Sequence, residues 1–281
     1  MYRELYRFGG VTFALESDEP LERSPVCEAF HVPDGVPDHT ICLRFSDALP
    51  TPPADALRRD DVFRWQAGAQ RHLLQWVSAP GDIPHFTYAV THGAHTDVIF
   101  ASAYRTGASV STALEAGGLF EVVAALGMLV LHSAYIVTSA GEAILFYGPS
   151  GVGKSTQAAL WERCAGARVV NGDRALVDVG KKTANGIFYA GTSGISENVT
   201  APVRAIVLLG QGSENRVFVP SPQAAFAGVL SQCAYYEWDA RSAEQMTECV
   251  ARLVSDVPVL RMDCLPNATA VEALRGKLGG I

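Results

Sequence analysis

The sequence predicts a mixed α+β fold with two regions, an antiparallel β-rich region over residues 1–110 and a second region over residues 111–281. Three observations lead to this prediction. Apolar and polar residues alternate in short runs through the first hundred positions, which is the period of half-buried strands. From about residue 112 the apolar spacing becomes helical. A glycine-rich segment then joins a short apolar run to another helical stretch, so the second region combines strands with helices.

The composition is that of a globular chain. Of its 281 residues 48% are hydrophobic and 18% are charged, which is enough apolar surface to build a core and excludes intrinsic disorder. The 22 basic and 29 acidic residues give a net charge of −7 and form no basic stripe. We therefore expect no binding to nucleic acid and none to an anionic membrane surface.

Targeting and redox features favour a cytoplasmic location. No apolar run reaches the 18 residues that a membrane-spanning helix needs. The first ten residues, MYRELYRFGG, are too charged for a signal peptide. The six cysteines include no C-x-x-C pair, so we expect reduced thiols rather than a zinc site or a disulfide framework.

The first region is interpreted as short strands joined by turns. Its predicted strands are 10–16, 39–45, 71–77, 86–91 and 96–103. The last two flank Gly93-Ala94, which predicts a hairpin. The region is therefore expected to form an antiparallel sheet.

The second region begins with a helix and two strands. Apolar spacing over 112–131 predicts a helix, and Gly117-Gly118 is expected to interrupt it, so that the main helix begins near Leu119. Strands are predicted over 132–138 and 143–147, with a turn between them.

Residues 148–156, with the sequence GPSGVGKST, fit the phosphate-loop pattern G-x-x-x-x-G-K-[ST]. An apolar strand precedes them and a helical stretch over 155–164 follows, which is the context that this pattern requires. Glycines let backbone N–H groups close around phosphate oxygens, and the helix N-terminus adds positive potential. Residues 148–153 are called the glycine-rich loop below.

The pattern assigns particular contacts to this segment. Lys154 is expected to place its ammonium group against the β- and γ-phosphates, and the Ser155 hydroxyl is suited to Mg²⁺. The predicted nucleotide-binding residues are Gly148, Ser150, Gly151, Val152, Gly153, Lys154, Ser155 and Thr156.

A carboxylate for the metal ion or for the attacking hydroxyl is expected at Asp173. The apolar pair Val169-Val170 leads to Asn171-Gly172-Asp173, and a return of the chain as a neighbouring strand would bring Asp173 to the sheet edge that holds the loop. The same tripeptide is also typical of a plain turn. Asp178 and Asp263 are alternative carboxylates.

His132 is the candidate base, because all seven histidines lie at or before it and it begins the strand that leads towards the loop. A structural role for this histidine is equally compatible with the sequence. Arg174 and Arg204 are candidates for neutralising charge in the transition state, with surface ion pairs as the alternative. No N-K-x-D motif is present, which argues against a GTPase.

The order His132, strand, turn, strand, glycine-rich loop, helix and Asp173-Arg174 resembles the HPr serine kinase family and the nucleotide domain of phosphoenolpyruvate carboxykinases. The resemblance covers residues 119–179 well and is weaker beyond them. It implies a mixed sheet that carries a phosphate loop, binding of ATP and Mg²⁺, and assembly into homo-oligomers. It also implies that His132, Lys154 and Asp173 are catalytic residues. The metal ligands that it implies are Ser155 and Asp173.

The chain departs from that family at one position. Where the kinases have a carboxylate pair, this sequence has Gly172-Asp173, so one carboxylate is missing. The predicted activity is phosphoryl transfer to a hydroxyl, of serine in the first instance, on a peptide, a protein or a small molecule. The alternative is an ATP-binding regulatory or assembly protein with little turnover, and a carboxykinase-like lyase ranks below both.

Overall fold

The computed structural model describes residues 1–77 and 85–280 and contains two compact units, Met1–Val122 and Val123–Ile281. The mixed α+β class is confirmed. The units divide C-terminal to the predicted boundary at residue 110. The reason is that the helix beginning at Val110 buries Ala113 and Leu114 with the first unit.

The strands of the first unit match most of the predicted ones. They are β1 (Tyr2–Phe8), β2 (Val11–Ser17), β3 (His31–Val32), β4 (His39–Phe45), β5 (Leu57–Arg59), β6 (Val62–Ala67), β7 (Gln70–Val77), β8 (His85–His92) and β9 (His95–Phe100). The hairpin predicted around Gly93-Ala94 is formed by β8 and β9.

The prediction of an antiparallel sheet is wrong for part of this unit. Over residues 1–77 and 85–122 the nine strands form one sheet in the order β3-β1-β2-β4-β9-β8-β7-β6-β5. Strand β4 runs parallel to both of its neighbours, β2 and β9. The connection from β2 to β4 is long enough to cross over instead of turning back, which alternation in the sequence does not reveal.

Among the described residues, three α-helices belong wholly or partly to this unit. They are α1 (Pro25–Glu28), α2 (Val110–Ala116) and α3 (Leu119–Ala125), and α3 crosses the boundary between the units. The predicted interruption at Gly117-Gly118 is confirmed, since Gly117 caps α2 and Gly118 has a positive φ of 78°. The predicted extension of the helix to residue 131 is wrong, because Gly127, with φ of 76°, ends it and a strand begins at Met128.

The second unit contains eight strands and four helices within residues 123–280. The strands are β10 (Met128–Val137), β11 (Ala143–Tyr147), β12 (Arg168–Asn171), β13 (Arg174–Asp178), β14 (Thr183–Asn185), β15 (Thr200–Gln211), β16 (Arg216–Phe218) and β17 (Val259–Cys264). The helices are α4 (Lys154–Ala165), α5 (Pro222–Leu230), α6 (Ala240–Asp256) and α7 (Ala268–Leu278).

These strands form a mixed sheet. Seven of them follow the order β11-β10-β13-β14-β15-β17-β16, and β12 pairs with β10 beside this path. Strand β11 also pairs with β15, which closes five of the strands into a ring. Strands β11, β15 and β17 are mutually parallel along this path. Their carboxyl ends therefore meet at one edge, and the glycine-rich loop leaves β11 at that edge.

Side chains of β11 alternate between two apolar cores. Ile144 and Phe146 pack with α4 and α7, whereas Leu145 and Tyr147 pack with α5 and α6. All five residues of β11 are buried, so burial on both faces fixes the position of the strand that carries the loop. No helix in the described ranges is long and apolar enough to cross a membrane.

Candidate functional site

The glycine-rich loop lies between β11 and α4, as the sequence predicts. Gly148, Gly151 and Gly153 have φ values of 145°, 77° and 112°, a region that side chains rarely adopt. A Cβ at Gly148 would also lie 3.2 Å from the carbonyl oxygen of Leu209 on the neighbouring strand β15. The three glycines are therefore required by the backbone conformation of the loop.

The loop ends at the exposed N-terminus of α4. Gly153 caps this helix without a side-chain hydrogen bond, so the first backbone N–H groups of α4 are not capped by a side chain. Ser155 and Thr156 are exposed in its first turn. A helix N-terminus with free N–H groups is a favourable environment for an anion.

Lys154 folds back across the loop. Its Nζ donates to the carbonyl oxygen of Gly148 at 2.9 Å and lies 3.4 Å from that of Pro149. Burial lowers the pKa of Lys154 from its ordinary value, while the negative charge of Asp173 acts in the opposite direction. The ammonium group is thus held at the loop and within the electrostatic influence of Asp173.

Asp173 belongs to a tight turn between β12 and β13, called here the Asp173 turn (residues 171–174). The Asn171 side-chain oxygen accepts hydrogen bonds from the backbone N–H groups of Asp173 at 2.8 Å and Arg174 at 2.9 Å. This is the turn chemistry expected of asparagine. Because β10 pairs His132 with Arg174, the turn lies beside His132. The return strand that the sequence predicts is β12, which pairs with β10 and not with the loop strand β11.

His132, Asp173 and Arg174 form a charged group beside the loop. His132 Nε2 lies 3.5 Å from Asp173 Oδ1, and Arg174 Nε lies 3.4 Å from Asp173 Oδ2. Arg174 also lies over the ring of Tyr189, with 4.4 Å between its guanidinium carbon and the ring centroid. The sequence predicts the proximity of His132 to the loop, but His132 lies in the middle of β10 rather than at its start.

The environment of His132 favours a neutral imidazole. Burial lowers the pKa of His132 below its ordinary value of 6.5, and the positive charges of Lys154 and Arg174 lower it further. The Asp173 carboxylate acts in the opposite direction but does not outweigh these effects. At neutral pH one ring nitrogen of His132 is therefore free to accept a proton.

A cleft of about 390 Å³ opens beside His132 and Arg174. Its walls come from three parts of the second unit, namely Pro149 and Ser150 of the loop, Val130, His132 and Arg174 of the strands, and residues 231–234 after α5. The segment 231–234 is fixed to β10 by hydrogen bonds from His132 N to Gln232 O and from Ala234 N to Val130 O. The sequence analysis missed this wall, because the segment carries no motif and reaches the site only through tertiary pairing.

The alternative carboxylates lie elsewhere. Asp178 is at the opposite end of β13, where its carboxylate contacts Lys181 at 3.0 Å. Asp263 lies near the carboxyl end of β17, which is the loop edge of the sheet, but it pairs with Arg261 at 2.9 Å. Of the predicted carboxylates, only Asp173 lies beside His132.

Of the two roles that the sequence leaves open for Arg204, the structure favours the ion pair, formed with Glu142. Arg204 lies near the start of β15, where its neighbour Val203 pairs with Ala143 at the start of β11. It contacts Glu142 and the carbonyl oxygen of Leu278. Because β11 and β15 are parallel, this end of the sheet is opposite to the loop.

Gly172 has no room for a side chain. A Cβ built there would overlap Ser193 Oγ and lie 2.6 Å from Ser193 Cβ. Ser193 belongs to the segment 187–196, called here the 187–196 loop, which packs on the Asp173 turn. Position 172 is where the HPr serine kinases have their second carboxylate. In this chain Ser193 occupies the space that a side chain at position 172 would need.

The oxygen donors of the site suit a hard cation. The hydroxyl of Ser155 and the carboxylate of Asp173 are ligands of the type that Mg²⁺ prefers. In the part of the chain that the structure describes, no three His, Cys, Asp or Glu side chains cluster to hold a metal ion. A Mg²⁺ ion at this site would take its other ligands from phosphate oxygens and water, as is usual for this ion.

Comparison with known proteins adds no family assignment. No protein-family model matches the sequence, and a search of curated proteins finds no significant match.

Proposed function

We propose that this protein is an ATP- and Mg²⁺-dependent phosphotransferase of the type found in the HPr serine kinase family, acting on a hydroxyl group, in the first instance that of a serine, of a peptide, protein or small molecule. The single observation that supports this most strongly is the cleft where the glycine-rich loop meets His132 and Arg174, with Asp173 in contact with both. A phosphate-binding loop alone would fit any nucleotide-binding protein. The adjoining carboxylate and neutral imidazole supply what transfer to a hydroxyl needs.

Each residue has a distinct role in the proposed reaction. Lys154 and the loop N–H groups hold the β- and γ-phosphates, and Arg174 adds positive charge at the cleft wall. Ser155 and Asp173 would hold Mg²⁺, which neutralises charge on the phosphates. Positioning and charge stabilisation account for most of the catalysis in phosphoryl transfer, so few residues suffice.

The transfer step follows from this arrangement. The acceptor oxygen attacks the γ-phosphorus, the bond between that phosphorus and the β–γ bridging oxygen breaks, and ADP leaves with the electron pair. The hydroxyl proton passes to Asp173 or to neutral His132, the two acceptors that lie 3.5 Å apart.

A second function is favoured by Gly172. The HPr serine kinases have a carboxylate pair here, whereas this chain has Gly172 and the single carboxylate of Asp173. An ATP-binding regulatory or assembly protein needs the loop but not the second carboxylate. The two functions differ in turnover, because a regulatory protein would bind ATP and release it unchanged.

Thermal unfolding with Mg²⁺ and a panel of nucleotides tests the binding site. Saturation at about 100 times Kd adds roughly 2.7 kcal/mol of stability, which is several degrees in Tm for a unit of this size. We expect the shift with ATP in the wild type and its loss in Lys154→Ala. Lys181→Ala is the matched control, since this exposed lysine pairs with Asp178 away from the cleft. An equal shift in Lys154→Ala and in the wild type would refute the phosphate-loop assignment.

Turnover is tested with labelled ATP and a degenerate peptide library centred on serine. The proposed kinase transfers the γ-phosphate to this library and not to the same library centred on alanine. ATP binding with neither transfer nor ADP formation would favour the regulatory function.

A further inference from the structure

The side chain of Asn171 makes hydrogen bonds through both its amide oxygen and its amide nitrogen. It is fully buried at the end of β12 and contacts two segments, the Asp173 turn and the 187–196 loop. Its oxygen accepts from the N–H groups of Asp173 and Arg174. Its amide nitrogen donates to the carbonyl oxygens of Ile187 and Tyr189, both at 2.8 Å, and lies 3.1 Å from Ser196 Oγ. One side chain therefore connects the Asp173 turn to the 187–196 loop.

Further contacts between these two segments are close. Gly172 N donates to the carbonyl oxygen of Ile195 at 3.4 Å. A Cβ at Gly191, which has a φ of 53°, would lie 2.7 Å from Asp173 Cβ, so the loop backbone covers one side of the Asp173 side chain. Ser196 Oγ donates to the carbonyl oxygen of Ile187 at 2.5 Å and closes the loop on itself.

The direct contacts of the Asp173 carboxylate are weaker. Its separations from His132 Nε2 and Arg174 Nε, 3.5 and 3.4 Å, are long for hydrogen bonds. The direction of the carboxylate therefore depends on the backbone conformation of the turn. That conformation is fixed by the two hydrogen bonds that Asn171 accepts.

We propose that Asn171 is a positioning residue, which orients Asp173 for the metal ion and fixes the Asp173 turn to the 187–196 loop, so that the carboxylate and the loop are held as one rigid body. This inference rests on the proposed function, because it assigns Asp173 to Mg²⁺ and to the acceptor. It predicts that loss of the Asn171 amide impairs metal use without impairing the glycine-rich loop, because the side-chain hydrogen bonds of Asn171 go to the Asp173 turn and the 187–196 loop.

The test compares Asn171→Ala with Asn185→Ala. Asn185 is a matched control because it is also buried, at 2% exposure, and its side chain bonds Leu176 O and Thr200 Oγ1 on β13 and β15 instead of the turn. The readouts are Tm, ATP affinity without metal, the Mg²⁺ concentration that gives half of the maximal ATP-induced stabilisation, and the rate of ADP formation.

For Asn171→Ala we expect a rise of about tenfold or more in the half-saturating Mg²⁺ concentration, with metal-free ATP affinity within about threefold of wild type. Where the wild type forms ADP, its rate should fall by about tenfold in this variant. Asn185→Ala should lose Tm but keep the wild-type Mg²⁺ dependence. Should Asn171→Ala fail to fold, Ser196→Ala removes one of the links to the loop and should raise the half-saturating concentration about threefold.

The outcomes separate the two proposals. An unchanged Mg²⁺ dependence in Asn171→Ala, or in Ser196→Ala where that variant is used, overturns the inference and leaves the proposed function standing. An equal change in Asn185→Ala also overturns it, because the effect would then follow from lost stability. A wild type that shows no stabilisation by ATP and Mg²⁺ overturns the proposed function and the inference together.

Discussion

Replacement of Gly172 by alanine should destabilise the second unit through one contact. The new Cβ would overlap Ser193 Oγ and lie 2.6 Å from Ser193 Cβ, about 1 Å less than an ordinary contact between carbon atoms. Rotation of the Ser193 side chain moves its oxygen but not its Cβ, so the 187–196 loop has to shift. The backbone at Gly172 lies outside the left-handed region, so no conformational strain is added.

The expected magnitude follows from this geometry. Forcing extra atoms into a filled space costs about 1–3 kcal/mol. For a unit of this size 1 kcal/mol corresponds to about 3 °C, so we expect Tm to fall by roughly 6 °C. Ser193→Gly loses the hydrogen bonds of its hydroxyl to Ala190 O and Ile195 N, which is a smaller cost of about 1 kcal/mol.

A double-mutant cycle isolates the contact. In Gly172→Ala/Ser193→Gly the overlap is absent, so the two changes should couple by about 1–3 kcal/mol in the free energy of unfolding. Gly276→Ala is the control, since nothing lies within 4 Å of a Cβ at this position in α7, and alanine there should raise stability by about 0.5–1 kcal/mol. A Tm for Gly172→Ala within 1 °C of wild type, or the absence of coupling, would refute the reasoning.

Two further predictions concern Asp173 and His39. Asp173→Asn should keep ATP affinity but lower turnover at least about tenfold, which corresponds to a rise of about 1.4 kcal/mol in the activation barrier. The control Asp263→Asn should leave turnover unchanged. Equal activity of both variants would show that another residue binds the metal ion. Burial lowers the pKa of His39 from 6.5 to about 4. Between these two pH values His39 is therefore protonated in the unfolded chain but neutral in the folded chain. Urea unfolding should therefore show that the free energy of unfolding falls by about 3 kcal/mol as the pH is lowered from 6.5 to 4. The same pH dependence of stability in His39→Gln would contradict this assignment.

Local features could be predicted where the sequence carries a period or a turn signal. The hairpin of β8 and β9, the interruption at Gly117-Gly118 and the strand, loop and helix around Lys154 all depend on residues close together in the chain. Asp173 could be predicted because the number of residues between it and Lys154 leaves room for one helix and a return strand. These features depend on backbone preferences of glycine, asparagine and apolar residues, which act locally.

Non-local features were missed or predicted wrongly. The parallel placement of β4, the cleft wall at 231–234 and the location of Arg204 at the opposite sheet end depend on which strands pair. Strand pairing is decided by how distant apolar faces are buried together, and no short window of sequence contains that information.

The sequence by itself determined the glycine-rich loop and its lysine, because glycines readily adopt φ values that other residues rarely adopt, and the spacing of these glycines and the lysine is visible within nine residues. The tertiary structure alone decided what surrounds the loop. Closure of the strands around β10 brings His132 beside Asp173, and the fold of the 187–196 loop places Ser193 where a side chain at 172 would stand. These contacts join residues up to 41 positions apart, as for His132 and Asp173, so they exist only once the sheet has closed.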